Sequence, residues 1–166
     1  GERDRVPYAL WRDQGVIEAP PGRAIDKGYV ARRLAELLTR FDVQAIAYDR
    51  WRIDELKRHL ADEGIEAPLT EWGQGFRDMA PAVDALETLI LNGRLRHGGN
   101  PVLRWCASNA SVTMDPAGAR KLDKQRSIGR IDGLVALTMA AGLAARTEAN
   151  RPSVYDTERM EGFMFV

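Results

Sequence analysis

The stretch Val43-Gln44-Ala45-Ile46-Ala47-Tyr48-Asp49-Arg50-Trp51 decides the fold class. Its run from Val43 to Tyr48 predicts a short strand, because an apolar run of about four to eight residues bounded by polar ones fits a strand covered on both faces. Asp49 ends the run, and the chain then turns into a helix. In open α/β sheets, ligands and reacting groups collect at the carboxyl ends of such strands, which makes Asp49 a candidate for chemistry. The competing reading is that it caps the following helix.

Working outward, Asp26 is a plausible N-cap for a helix running to about Arg40, with Tyr29, Val30, Leu34, Leu37, Leu38 and Phe41 repeating at helical spacing. After the strand, a helix from about Arg52 to Glu63 turns Ile53, Leu56 and Leu60 inward and stops at Gly64. A second, weaker strand is expected over Ile65 to Trp72. This alternation makes a parallel sheet with helices packed on it. Upstream, Val6–Trp11 and Gly15–Ala19 read as a loop and an edge strand, broken by Pro20-Pro21-Gly22. Downstream, the turn Gln74-Gly75-Phe76 leads to a helix over about Pro81 to Leu91, closed by Asn92-Gly93. A polar stretch, Arg94 to Pro101, precedes a short helix over Val102 to Ser108. A short strand over Ala110 to Met114 pairs with a following one across Asp115-Pro116-Ala117-Gly118. The last long helix is expected from Ser127 to about Thr147, with Ile128, Ile131, Leu134, Val135, Thr138, Met139 and Gly142 on one face. We expect one domain over 1–147 and a tail over 148–166, ending in the apolar Gly162-Phe163-Met164-Phe165-Val166.

The totals exclude several classes. The chain has 166 residues, enough for one good core, and 24 basic against 24 acidic side chains. Bulk charge therefore gives no argument for nucleic-acid binding; a local patch would have to supply it. A lone Cys106 rules out an internal disulfide framework and a multi-cysteine zinc site. No apolar run approaches the roughly 20 residues of a membrane span. Gly1-Glu2-Arg3-Asp4-Arg5 is not a signal peptide. No GxxxxGK[ST] phosphate loop is present, and no Ser-His-Asp or Cys-His arrangement is suggested.

Asp132 is the second informative acid. On a helical wheel it neighbours Ile128, Val135, Ala136 and Met139, at the flank of the buried face. A carboxylate there is costly unless paired or bound to a metal, although a helix N-terminus also favours negative charge. Asp49 at a strand end and Asp132 on a helix packed across the sheet could converge on one divalent ion. Mg²⁺ and Mn²⁺ take hard oxygen ligands, often a few carboxylates plus water and substrate phosphate, and two such ions can cleave a phosphodiester. The run Arg120 to Arg126 is basic in a neutral protein. Lys121, Lys124 and Arg126, with Arg130 beyond them, would place cations beside Asp132 as contacts to DNA phosphates, the alternative being a solvated loop. His97 could be a proton shuttle, a phosphate contact or neither. Trp51, Trp72 and Trp105 are expected to pack rather than to stack on bases.

The sequence resembles the C-terminal nuclease domain of the large terminase subunit of tailed phages, of the HK97-like type. The resemblance is carried by Tyr48-Asp49-Arg50-Trp51, by Gly73-Gln74-Gly75-Phe76 and by Gly93-Arg94-Leu95-Arg96-His97-Gly98-Gly99-Asn100-Pro101-Val102-Leu103. It continues through Trp105 and Asn109, Lys124, and Arg130-Ile131-Asp132-Gly133-Leu134-Val135-Ala136-Leu137. These blocks cover the chain from about Val6 to Ala144. The resemblance implies an α/β, RNase H-like mixed sheet flanked by helices. It implies metal-dependent endonuclease cleavage of concatemeric viral DNA, with two Mg²⁺ or Mn²⁺ ions. Asp49 matches the acid after the central strand and Asp132 the acid on the last helix. It further implies double-stranded DNA as partner and, in the full protein, an ATPase domain, a small terminase subunit and a portal, in the cytoplasm of a bacterial host. The family's first catalytic aspartate lies on a strand upstream of every block quoted, and neither Asp4 nor Asp13 matches it. The expectation is a domain lacking its first strands, with an uncovered sheet edge open to pairing. Two other readings stay open: another RNase H-like nuclease of the junction-resolvase type, and a catalytically incomplete fragment that docks DNA or the portal.

Overall fold

Strand β1 spans Ile46–Tyr48 and pairs in parallel with β2, Leu69–Glu71, matching Ile46 to Leu69, Ala47 to Thr70 and Tyr48 to Glu71. The computed structural model describes residues 6–149. The Ile46 N–H donates to the Pro68 carbonyl and the Trp72 N–H to the Tyr48 carbonyl, so both ends of the pair are tied. β1 is shorter than the expected Val43–Tyr48 and half-buried rather than covered on both faces. The reason is local: β1 lines an open cleft, and its second edge carries no strand among the described residues.

Helix α2, Lys27–Arg40, begins where expected, with the Asp26 carboxylate accepting from the Gly28 N–H at 2.9 Å. It packs on α3, Ile53–Asp62. Two expectations at the amino end fail. Residues 15–19 form no strand, and α1, Tyr8–Asp13, stands where a loop was expected. Its cause is an aromatic triangle: Tyr8, the buried Trp11 and Trp105 lie 5.8–5.9 Å apart by ring centroid. Two of these pairs are edge-to-face and the Trp11–Trp105 pair is tilted; such rings bury large apolar areas and hold a short helix that propensity alone would not.

Helix α4, Phe76–Leu91, starts ahead of Pro81 rather than at it. Proline in a helix interior removes one backbone hydrogen bond. Burial of Met79, Ala80, Ala82 and Leu86 on either side of it outweighs that loss. Helix α5, Pro101–Asn109, is capped by Asn100, whose side chain accepts from the Leu103 N–H at 3.0 Å. Strands β3, Val112–Met114, and β4, Arg120–Leu122, form an antiparallel hairpin, with the Asp115 carboxylate accepting from the N–H groups of Ala117 and Ala119. Part of the basic run is thus strand. Arg120 bonds Asp84 and Glu87 on α4 at 2.8 and 2.7 Å, and its guanidinium holds the Glu87 carboxyl below the usual carboxylate range.

Helix α6, Asp132–Ala149, begins later than the expected Ser127 and ends beyond the expected Thr147. The first five residues of the predicted helix are instead stitched to α5. The Ile128 N–H donates to the Asn109 carbonyl, and the Asn109 side-chain amide donates to the Arg130 carbonyl, both at 3.1 Å. Ile128 is therefore 85% exposed, whereas Ile131 is buried. Of the expected tail, Glu148 and Ala149 are helical and 150–166 lie outside the described residues.

The fold is mixed α/β. Among the described residues its strands make two separate two-stranded sheets rather than one mixed sheet. The core lies where α4 crosses α6 and combines Trp72, Met79, Ala82, Ile131, Val135, Met139 and Leu143. Gly142 permits the approach: a Cβ there would sit 2.5 Å from Ala82 Cβ and 2.8 Å from Trp72 Cζ2. Overpacking of this kind costs about 1–3 kcal/mol, so Gly142→Ala should lower the denaturant midpoint without changing the m-value.

Candidate active site

Asp49 leaves the carboxyl end of β1 and is held by its own turn, its Oδ1 accepting from the Trp51 N–H at 3.1 Å. Asp49 does not cap α3, whose N-cap is Arg52 with no side-chain cap bond; it closes the turn ahead of that helix, and its second carboxylate oxygen takes no part in that bond. Asp132 is the first residue of α6, a position that also favours an anion through the helix dipole. Both acids line the same cleft, about 740 Å³, between β1 and α6. Lys124 lines it too, its Nζ 2.9 Å from Asp132 Oδ1. Both partners of that pair are more than half exposed, so the bond is solvent-screened and exchangeable. The walls are apolar, with Ala45, Ala47, Val135, Met139 and Leu143 lining the cleft beneath the exposed acids.

The other expected residues distribute unevenly. Lys121 points inward, with its Nζ 3.4 Å from the Gln74 carbonyl and 5.1 Å over the Phe76 ring. Arg126 is exposed and 3.7 Å from Asp123. Arg130 is exposed two residues before Asp132. His97 is not brought to the cleft. It lines a separate apolar pocket of about 230 Å³, among Leu86, Leu103 and Leu134. Trp72 and Trp105 pack as expected, but Trp51 is 79% exposed. Its neighbours in sequence are charged and no core reaches the turn.

Two residues of this site were not singled out as functional in the sequence. Gln74 lines the cleft, its side-chain amide 3.5 Å from Met139 Sδ. The signal for it is its place just past the carboxyl end of β2, where α/β sheets gather polar groups. Tyr48 carries Lys57 against its ring at 4.7 Å and accepts from its ammonium at 3.0 Å, which holds the Lys57 pKa above the ordinary lysine value.

A metal can be tested against this donor set. Two carboxylates in one cleft suit a single hard divalent ion whose remaining ligands are water or phosphate oxygen. The third acid lining the cleft, Glu148, lies at the far end of α6, about 24 Å along the axis at 1.5 Å per residue. No group of three or more metal-capable side chains occurs among the described residues. Among the described residues, Asp49 and Asp132 are thus the carboxylates that would hold one ion. A second would call for a further carboxylate.

Comparison with known proteins follows the same outline. The family model described as the terminase large subunit, endonuclease domain, matches residues 1–148. The chain is 51% identical over 141 residues to the terminase large subunit of Enterobacteria phage HK97, covering 85% of this chain and 28% of that protein. It is 31% identical over 139 residues to protein YmfN of Escherichia coli (strain K12), covering 82% of this chain and 30% of that one. The crystal structure of the HK97 bacteriophage large terminase aligns with a TM-score of 0.81 at 50% identity, covering 86% of this chain and 30% of that one. The chain spans less than a third of the length of these relatives. No helix among the described residues is long and apolar enough to cross a membrane.

Proposed function

The chain belongs to the terminase large subunit endonuclease family, and from that premise we propose that it hydrolyses phosphodiesters of double-stranded DNA with Mg²⁺ or Mn²⁺ held by Asp49 and Asp132. The observation that carries the reading is the meeting of these two acids and Lys124 in one cleft, although the acids lie 83 positions apart in the chain. The α/β architecture and the position of Asp49 at a strand end agree with an RNase H-like nuclease. A divalent ion bound there supplies an activated water and a Lewis acid for the phosphate oxygen. Asp49 stays anchored by its bond from the Trp51 N–H, so it can bind a cation without rearranging its turn. Asp132 gives up its exposed pairing with Lys124 at little cost, and the released ammonium faces the same cleft for a scissile phosphate. Arg126 and Arg130, both exposed, contribute phosphate contacts outside the cleft floor; Lys121, turned in against Gln74 and Phe76, does not.

In the whole polypeptide this activity would cut concatemeric viral DNA during packaging. The partners would be an ATPase domain, a small terminase subunit and a portal, in the cytoplasm of a bacterial host. A two-ion mechanism needs one more carboxylate than the cleft supplies. The second reading is a DNA- or portal-docking module without cleavage of its own. Nothing in the cleft favours a junction resolvase over a cutter of linear duplex. Supercoiled plasmid incubated with Mn²⁺, Mg²⁺ or EDTA separates the readings. Metal-dependent nicking supports the nuclease; DNA binding without nicking in any metal supports docking. Lys124→Ala should slow nicking about 10–100-fold, as expected for losing a charge-assisted phosphate bond, while leaving the Mn²⁺ concentration for half-maximal rate no higher than in wild type.

A further inference from the structure

The turn after β1 holds a feature that the hydrolytic chemistry does not use. Trp51 is 79% exposed, two residues past Asp49, and lies between Arg50 and Arg52. Arg50 is 82% exposed and only 3.7 Å from Glu71, while Arg52 makes no ion pair among the described residues. We infer that Trp51 is a stacking platform for an unpaired DNA base beside the scissile phosphate, with Arg50 and Arg52 on the flanking phosphates. The inference rests on the nuclease reading above.

Three observations support it. An exposed tryptophan leaves the largest apolar side chain in water, and every base offers a π-face to cover it. The turn is also held for this presentation. Asp49 bonds the Trp51 N–H, and Arg52 sits at φ 56°, the one non-glycine residue with positive φ among the described residues. Such a conformation is strained and persists when surrounding structure demands it. No burial of Trp51 demands it here; it sends the chain into α3 while leaving the indole outside. Finally, reach is right: at 3.8 Å per residue the Trp51 Cα lies within about 7.6 Å of the Asp49 Cα, about two base-pair rises of 3.4 Å each. Asp54 and Glu55 in the first turn of α3 oppose phosphate nearby. The site should therefore depend more on stacking than on charge, which separates it from the basic run near Lys124. Charge of both arginines still favours DNA over an apolar protein partner.

Trp51 is a positioning residue, so the test measures binding apart from cleavage. Fluorescence anisotropy in EDTA would compare the full encoded chain with Trp51→Ala and Trp51→Phe. The probes are a single-stranded oligonucleotide, a duplex with a short unpaired patch, and a fully paired duplex. Stacking on one base corresponds to roughly a 5- to 150-fold change in affinity, so Trp51→Ala should weaken the first two probes by about tenfold and the paired duplex less. Trp51→Phe should restore most of the binding, and in metal-dependent nicking the loss should fall on KM more than on kcat. The unfolding midpoint should not move. A wild-type chain that cuts plasmid, with Trp51→Ala equal to it on every probe, overturns this inference and leaves the nuclease reading standing. A wild-type chain that neither binds nor cuts DNA overturns both.

Discussion

Asp132→Asn is expected to reduce Mg²⁺- or Mn²⁺-dependent nicking of supercoiled plasmid by on the order of a thousandfold, because a metal ligand supplies several kcal/mol and each 1.4 kcal/mol is a decade in rate. The substitution is close to isosteric and its site is exposed. The contact it loses is the exposed pairing with Lys124, which contributes little to stability. Loss of activity with an unchanged melting curve therefore reads as chemistry rather than unfolding. Asp49→Asn makes the complementary test. Asparagine keeps an oxygen that can accept from the Trp51 N–H, so the turn survives while the charge is removed. Equal losses in the two variants, and no greater loss in the double variant, would identify one shared ion. Full activity in Asp132→Asn would remove this acid from the mechanism.

Trp72→Ala is expected to cost about 3–5 kcal/mol, the range for deleting a buried aromatic, and to lower Tm by about 10 °C in a chain of this size. Trp72 is 3% exposed and packs with Met79, Ala82, Met139 and Leu143 at the α4–α6 crossing. The Arg146 guanidinium lies 4.5 Å over its ring, adding a cation–π contact. Its backbone N–H donates to the Tyr48 carbonyl, one residue before Asp49. The cavity thus opens directly behind the candidate site, and activity should fall together with stability. Trp72→Phe should cost much less. The indole N–H is buried with no hydrogen-bond partner among the described residues, so phenylalanine gives up no bond and relieves one unsatisfied donor. A denaturant midpoint for Trp72→Ala near that of wild type would mean that the α4–α6 core is not the main source of stability.

These expectations differ in how far they could be read from the residues. Asp49 at the end of an apolar run and Asp132 beside a helical stripe were both visible as local patterns, although Asp132 proves to be the exposed first residue of α6 rather than a carboxylate on its buried face. Asp26 was legible as a cap for the same reason: its bond reaches two residues ahead. Pro81 misled because its cost is local while the burial that overrides it is not. The start of α6 misled because the competing bonds come from Asn109, about twenty residues earlier, through space. His97 carried the composition of a site residue and is placed instead beside Leu86 and Leu134.

By itself the sequence determined the family and the alternation of helix and strand from Asp26 onward, and it nominated Asp49 and Asp132 as candidates, since each depends on periodicity or on motifs of a few consecutive residues. Tertiary structure alone decided that Asp49, Lys124 and Asp132 share one cleft, that Gln74 joins them, and that Trp51 faces solvent. The physical reason is that burial and convergence depend on what the rest of the chain leaves uncovered. An indole between two arginines has the same local pattern whether a core reaches it or not.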